Sequence, residues 1–247
     1  MFALVTMLVL GAWAELVRPG WWLVREPDAA GRGGAEPATA GAARQHARGH
    51  ELTGPLHGRI RAYLTVGTAA SRVEVRIADL PGLLYRVSTP AGSGLAPRVT
   101  GSAGRVRVGL RPTGTDGPDN VTIVLNRAVR WDIRLPAGAG EQHLDLARGR
   151  IVRLELGAAG LIDLRLPRPA GTVPVTLTDG AGSVEITAPR ETPVRVLLRG
   201  GVGTVTAPWA SSNDTPRGAV LTPPGWQASS DRYAVDARAE LGTLALR

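Results

Sequence analysis

Asp179-Gly180-Ala181-Gly182-Ser183-Val184-Glu185-Ile186-Thr187 is a glycine-rich turn that runs straight into a strand of alternating apolar and polar residues. The pattern returns as Arg199-Gly200-Gly201-Val202-Gly203-Thr204-Val205-Thr206. A period of two puts Val184 and Ile186 on one face of a strand and Glu185 and Thr187 on the other. Upstream, Gly140 and Gly160 extend the series, so that Gly140, Gly160, Gly182 and Gly203 recur at intervals of 20, 22 and 21 residues. The strand Leu161-Ile162-Asp163-Leu164 follows Gly160 at once. Downstream, Leu241-Gly242-Thr243-Leu244-Ala245-Leu246 is a related element, and Gly242 lies 39 residues after Gly203, close to two periods. A period near 20 is one coil of two strands and two turns, with the apolar side of each coil buried on its neighbours. Glycine at matching positions supplies either a positive φ or a close-packed corner.

The alternation extends well beyond this stretch. Val73–Ile77, Trp131–Leu135, Leu154–Leu156, Leu164–Leu166 and Val173–Leu177 all show it. Turn signals separate them at Leu135-Pro136-Ala137-Gly138 and Pro167-Arg168-Pro169. No helical period is visible after residue 25. The expected fold is therefore all-β: a single-stranded β-solenoid (β-helix) of coils of about 20 residues. The alternative is an antiparallel β-sandwich, whose strands also come every 8–12 residues or so. Residues 131–247 are the regular part. Residues 53–130 are less regular, because Val66-Gly67 and Gly101-Ser102, which open similar elements, lie 34 to 35 residues apart. Residues 208–230, with Trp209, Pro216, Pro223, Pro224 and Trp226, read as a loop that leaves the stack and returns.

Composition agrees with small stacked strands. Hydrophobic residues make up 43% of the 247, but aromatics only 4%, with Phe2 the one phenylalanine. The core must then be Val, Leu, Ile and Ala, side chains that suit a pleated surface. The chain has no cysteine, which removes disulfides, thiolate metal sites and thiol catalysis. All 29 basic residues are arginine; a GC-rich genome accounts for arginine in place of lysine. The net charge of +8 favours anionic partners. No helix-turn-helix, zinc finger or aromatic RNA-binding signature accompanies it, so no specific nucleic-acid partner is expected. Anionic lipid headgroups or an acidic wall polymer fit better.

The first fourteen residues carry no charged side chain. Met1–Val17 can be read as a secretory signal with Ala12-Trp13-Ala14 as its cleavage site. It can also be read as a membrane anchor, with Trp13, Trp21 and Trp22 beside Arg18 and Arg25 at the interface. The anchor, over residues 1–25, is the reading taken here, and it predicts a single-pass membrane protein. Residues 26–52 are rich in Ala, Gly, Arg and Pro and read as a flexible tether. His46, His50 and His57 fall in or just after it, and a flexible stretch offers no preorganised metal site.

No catalytic constellation stands out. Asp179-Gly180-Ala181-Gly182 lacks the helix that a phosphate loop needs behind it. No G-x-S-x-G elbow is present. His143 and Asp145 would share a strand face, but no motif places a nucleophile beside them. Asp145, Asp163 and Glu185 hold similar places in the repeat and could form an outward acidic ladder, with Arg134, Arg153, Arg165 and Arg195 as outward neighbours. Such rows serve either as solvated ion-pair surface or as a polyanion-binding face. Asn120-Val121-Thr122 and Asn213-Asp214-Thr215 match the glycosylation pattern, which is common by chance. The expectation is no enzyme, no catalytic residue, no cofactor and no metal.

Gly180-Ala181-Gly182-Ser183-Val184-Glu185-Ile186, Gly201-Val202-Gly203-Thr204-Val205-Thr206 and the terminal Leu241-Gly242-Thr243-Leu244 carry a resemblance. The element resembles the adhesin-like β-solenoid domains of bacterial envelope proteins, and is similar to the C-terminal domain of LiaF-type cell-wall-stress proteins. The likeness covers Trp131 to the C-terminus well and Thr53–Arg130 weakly. It implies a β-solenoid behind an N-terminal membrane segment. With the tether, the repeat and the lack of an active-site constellation, the expectation is a non-enzymatic interaction module of the cell envelope, in adhesion or envelope-stress signalling, with the domain extracytoplasmic. Arg18 and Arg25, taken literally, would leave it in the cytosol. Its expected partners are the membrane, through residues 1–25, and a protein. A binding module for anionic wall polymer or lipid headgroups is the alternative. Leu244-Ala245-Leu246 ends the stack with no visible cap, and such an open edge invites an end-to-end homodimer.

Overall fold

The structure is a computed structural model, and it describes residues 49–247. The anchor expected over residues 1–25 and the tether as far as residue 48 lie outside the described residues, as does His46. The described residues form nineteen strands and no helix. In chain order they are β1 (His50–Pro55), β2 (Arg61–Val66), β3 (Arg72–Ala78), β4 (Leu83–Thr89), β5 (Leu95–Thr100), β6 (Arg105–Pro112) and β7 (Asn120–Asn126). Next come β8 (Arg130–Leu135), β9 (Ala139–Asp145), β10 (Arg150–Leu156), β11 (Ala159–Arg165), β12 (Thr172–Leu177) and β13 (Ala181–Thr187). The chain ends with β14 (Val194–Leu198), β15 (Val202–Ala207), β16 (Ala210–Thr215), β17 (Ala219–Leu221), β18 (Arg232–Ala237) and β19 (Leu241–Leu246).

Two mixed sheets hold these strands, and neither closes into a barrel. The ten-stranded sheet runs β1-β4-β7-β3-β9-β11-β13-β19-β15-β16, and the nine-stranded sheet runs β17-β14-β18-β12-β10-β8-β2-β6-β5. The inner strands pair in parallel; antiparallel pairs occur only towards the ends, as β1·β4, β4·β7, β5·β6, β14·β17 and β15·β16. Consecutive strands such as β8 and β9, or β10 and β11, lie in different sheets. The two apolar faces meet in one core of Val, Leu, Ile and Ala, with Trp131 and Tyr233 fully buried among them.

Stack order departs from chain order at both ends. The strand pair β18–β19, last in the chain, lies between β12–β13 and β14–β15. The strand pair β6–β7 likewise lies between β2–β3 and the antiparallel strands β4 and β5. The chain therefore skips a place, folds back as a cap, and returns to fill the gap. The stretch 208–230 contains β16 and β17, which pair antiparallel on β15 and β14. Leu241–Leu246 is consequently not an edge: β19 pairs with β13 on one side and β15 on the other. The real edges are poor templates for a further strand. β16 is polar (ASSNDT), β17 is three residues long, and β1 and β5 each contain a proline.

The recurring glycines have a packing role. A Cβ on Gly182 would sit 2.7 Å from the carbonyl oxygen of Gly160, and one on Gly203 would sit 2.8 Å from that of Gly242. Gly140, Gly160, Gly182, Gly242 and Gly203 thus stack in that order. Gly182, Gly242 and Gly203 are each too close to the preceding glycine's carbonyl for a side chain, Gly140 is as close to that of Ser71, and Gly160 is tight at 3.0 Å. None of the five has a positive φ, so close approach and not turn geometry excludes a side chain here.

A few polar side chains enter the core and are tied to turns. Asn126 donates to the carbonyls of Leu80 (2.7 Å) and Leu83 (2.6 Å), and accepts from the Ala128 amide (2.8 Å). Trp131 Nε1 donates to the Asn126 carbonyl at 2.9 Å. The Tyr233 hydroxyl donates to the Pro167 carbonyl at 2.8 Å, and burial pushes that phenol well above its ordinary pKa.

Candidate charged faces and an arginine-lined groove

The outer residues of each strand stack in register with those of the next, so the faces are built from rows. In the ten-stranded sheet Glu74, His143, Asp163 and Glu185 are successive neighbours. Asp163 and Glu185 are therefore adjacent, as the sequence suggested. Asp145 is not in their row: it lies beside Arg165 and Arg76, two positions further along the strands. His143 takes its place, and Glu74, from the irregular half, joins the row.

His143 does not pair with Asp145. Its Nε2 donates to Glu141 Oε2 at 3.0 Å, and its Nδ1 lies 3.7 Å from Asp163 Oδ2. Asp145 instead accepts from the Ala147 amide at 3.3 Å and shapes the turn that follows β9. Glu141 also receives Arg72, with Nη2 at 2.6 Å. The His143 hydrogen bond, then that of Arg72, holds the Glu141 carboxyl below the usual glutamate range. This is a partly exposed polar network in which Glu141 has Arg72 and His143 as partners and Asp145 has a backbone amide.

The nine-stranded sheet is different in kind. Its strands carry eleven arginines against three carboxylates, Asp132, Glu155 and Asp236. The strands of the ten-stranded sheet carry four arginines against seven carboxylates. Arg61, Arg130 and Arg150 stand directly beside one another on three successive strands, all exposed. Arg134, which is expected in a row with Arg153, Arg165 and Arg195, is bound to its own strand's Asp132 (3.0 Å). Arg153 and Arg195 share its sheet, while Arg165 belongs to the other.

A groove of about 570 Å³ lies where the strands of the ten-stranded sheet turn over into the nine-stranded one. Arg148 comes from the turn before β10 and Arg150 opens that strand, Arg165 closes β11 and Arg168 lies in the turn after it, and Thr187 and Pro189 complete the rim. No carboxylate lines it. Among the described residues none of the four arginines makes an ion pair, and all four are exposed. Of these four only Arg165 stood out in the sequence; the other three follow turn residues whose spacing varies. A second cavity of about 490 Å³ adjoins it past Pro189, lined by Pro193, Pro208, Trp209, Pro223 and Pro224. Trp209 Nε1 is buried there without a hydrogen-bond partner.

His50 opens β1 and His57 sits in the turn after it. Among the described residues no cluster of three His, Asp or Glu side chains could hold a metal ion. Asn120 and Asn213 lie on β7 and β16. No helix among the described residues is long and apolar enough to cross a membrane.

No protein-family model and no curated protein sequence matches the chain. Among solved structures, one described as "a putative cell adhesion protein" from Clostridium sporogenes ATCC 15579 superposes with a TM-score of 0.62. It is 15% identical and spans 81% of this chain and 99% of that one. Another, "a putative adhesin" from Bacteroides fragilis NCTC 9343, is 8% identical over 81% of this chain and 96% of that one. Its TM-score of 0.23 supports no structural comparison. What the clostridial structure shares with this chain is architecture: an adhesin-like, all-β fold.

Proposed function

We propose that the described domain is a β-solenoid that works as a non-enzymatic interaction module of the bacterial cell envelope, making adhesion-like contacts. The alternation of consecutive strands between two sheets, with parallel neighbours one coil apart, favours the solenoid over an antiparallel sandwich. The observation that carries the functional reading is the segregation of charge. A cationic sheet and an acidic sheet stand back to back on one shared apolar core, which suits recognition by surface contact. In this reading residues 1–25 span the membrane once, residues 26–52 tether the domain, and the domain faces outward. The resemblance to LiaF-type domains makes envelope-stress signalling one setting for such contacts.

Protease treatment of intact cells carrying the full chain with a C-terminal tag tests this reading. Loss of the tag before lysis is the expected result. A tag protected until the cells are broken would place the domain inside and overturn it.

A further inference from the structure

We propose that the groove formed by Arg148, Arg150, Arg165 and Arg168 is a phosphate-binding site, and that it continues into the Arg61–Arg130–Arg150 row to hold a linear, phosphate-bearing polymer. The proposal deepens the reading of the domain as a contact module, since it names the ligand class of the cationic side.

Three observations support it. The first is the lack of compensation. The groove has four guanidiniums and no carboxylate, and among the described residues none of them is ion-paired. Some arginines elsewhere on this domain do meet acids, as Arg72 with Glu141, Arg127 with Asp79, Arg199 with Asp236 and Arg247 with Glu185. What sets the groove apart is that four guanidiniums gather around one concave surface whose lining holds no carboxylate; the acid that strand register places nearest is Asp145, beside Arg165.

The second is alignment. Like charges placed directly opposite on neighbouring strands destabilise a sheet. Arg61, Arg130 and Arg150 nevertheless stand side by side on β2, β8 and β10. A genome rich in GC explains why each cation is arginine. It does not explain three cations at one register position. A bound polyanion removes the repulsion.

The third is valence. A guanidinium offers a planar fork of donors that matches two oxygens of one anion. One carboxylate satisfies one or two such forks and leaves the rest of a four-arginine groove uncompensated. A tetrahedral phosphate presents oxygens in several directions and can be shared by guanidiniums from two turns. Arg150 belongs both to the groove and to the row, and the row advances one strand, about 4.8 Å, per arginine. A single phosphate cannot follow it; a chain of phosphates running along the stack can.

The test uses the full-length purified chain and long-chain inorganic polyphosphate as the probe. Inorganic orthophosphate, phosphatidylglycerol vesicles and phosphatidylcholine vesicles are run beside it. The double variant Arg148→Glu/Arg168→Glu is compared with Arg76→Glu/Arg217→Glu, which makes the same change in net charge elsewhere. The expected result is tight, salt-sensitive binding of polyphosphate, weakened about tenfold or more by the groove variant and much less by the control. Arg148→Ala/Arg168→Ala should give a smaller loss in the same direction, and circular dichroism should show all variants folded. Equal losses in the groove and control variants would reduce the effect to net charge and overturn the site. Binding of phosphatidylglycerol vesicles but not of polyphosphate would overturn the polymer and assign the phosphates to lipid headgroups. A domain that binds polyphosphate yet is protected from protease in intact cells would leave the groove standing while the outward-facing reading fails.

Discussion

Gly242 rests against the carbonyl oxygen of Gly182, a residue sixty positions earlier in the chain, so closely that no Cβ fits between them. On its other side it carries Gly203 in the same way. β18 and β19 are thereby built into the interior of the two sheets, and a substitution there cannot relax outward as it would at an edge strand.

Gly242→Ala is therefore expected to destabilise the domain by about 1–3 kcal/mol, because the obstruction is backbone and not a movable side chain. Gly67→Ala, at a glycine with nothing within 4 Å of the added methyl and an ordinary φ, should be close to neutral. Thermal melts of the two variants measure the contrast. Equal melting temperatures would contradict it.

Amide hydrogen exchange should separate position in the chain from position in the stack. The amides of Leu241–Leu246, flanked by β13 and β15, are expected to exchange as slowly as those of Ala181–Thr187. Those of Ala210–Thr215, paired on one side only, should exchange faster. A fast-exchanging C-terminus would mean that β19 frays like an ordinary end.

The glycine period was legible because each of these glycines touches the next, and a contact repeated once per coil leaves a repeat in the sequence. The order of coils was not, since a period states how long a coil is and not which coil lies beside which. Gly242 shows the difference. Its 39-residue distance from Gly203 suggested a place two coils on, whereas the intervening residues form the cap β16–β17 and the strand β18. The acidic row was half legible for a related reason. Counting three residues from each of Gly140, Gly160 and Gly182 reaches His143, Asp163 and Glu185, which are true neighbours. Asp145 lies five residues beyond Gly140 and so falls in the row of Arg165. The arginine groove had no such ruler, because Arg148 and Arg168 sit in turns of unequal length.

Tyr233 is fully buried and its hydroxyl meets the Pro167 carbonyl. Tyr233→Phe keeps the ring and leaves that carbonyl without its partner, which should cost about 1–3 kcal/mol. For a domain of this size that is a drop of roughly 2–4 °C in melting temperature per kcal/mol. An unchanged melt would show that the Pro167 carbonyl finds water instead.

The pH dependence follows from Glu141. Hydrogen bonds from His143 and Arg72 hold its carboxyl below the ordinary value, so its contribution is fully present above the unfolded pKa of about 4.3. That contribution is lost as the pH falls from there through the lower folded value. Glu141→Gln should therefore flatten the loss of stability below about pH 4.3, while leaving its shape near neutrality unchanged. Denaturant melts across that range check it, and identical acid limbs in the two proteins would contradict it.

The order of strands in the two sheets underlies both charged faces and the groove, and cysteine cross-linking tests it most directly, because the chain has no cysteine of its own. Thr243 pairs in register with Ser183 on one side and Thr204 on the other, and its hydroxyl lies 3.0 Å from that of Ser183. Neighbouring parallel strands are about 4.8 Å apart, within the range a disulfide spans. Under mild oxidation the double variant Ser183→Cys/Thr243→Cys should form an intramolecular disulfide, and Ser183→Cys/Thr204→Cys, two strands apart, should not. The reverse outcome would show the strands stacked in chain order and would contradict the architecture described here.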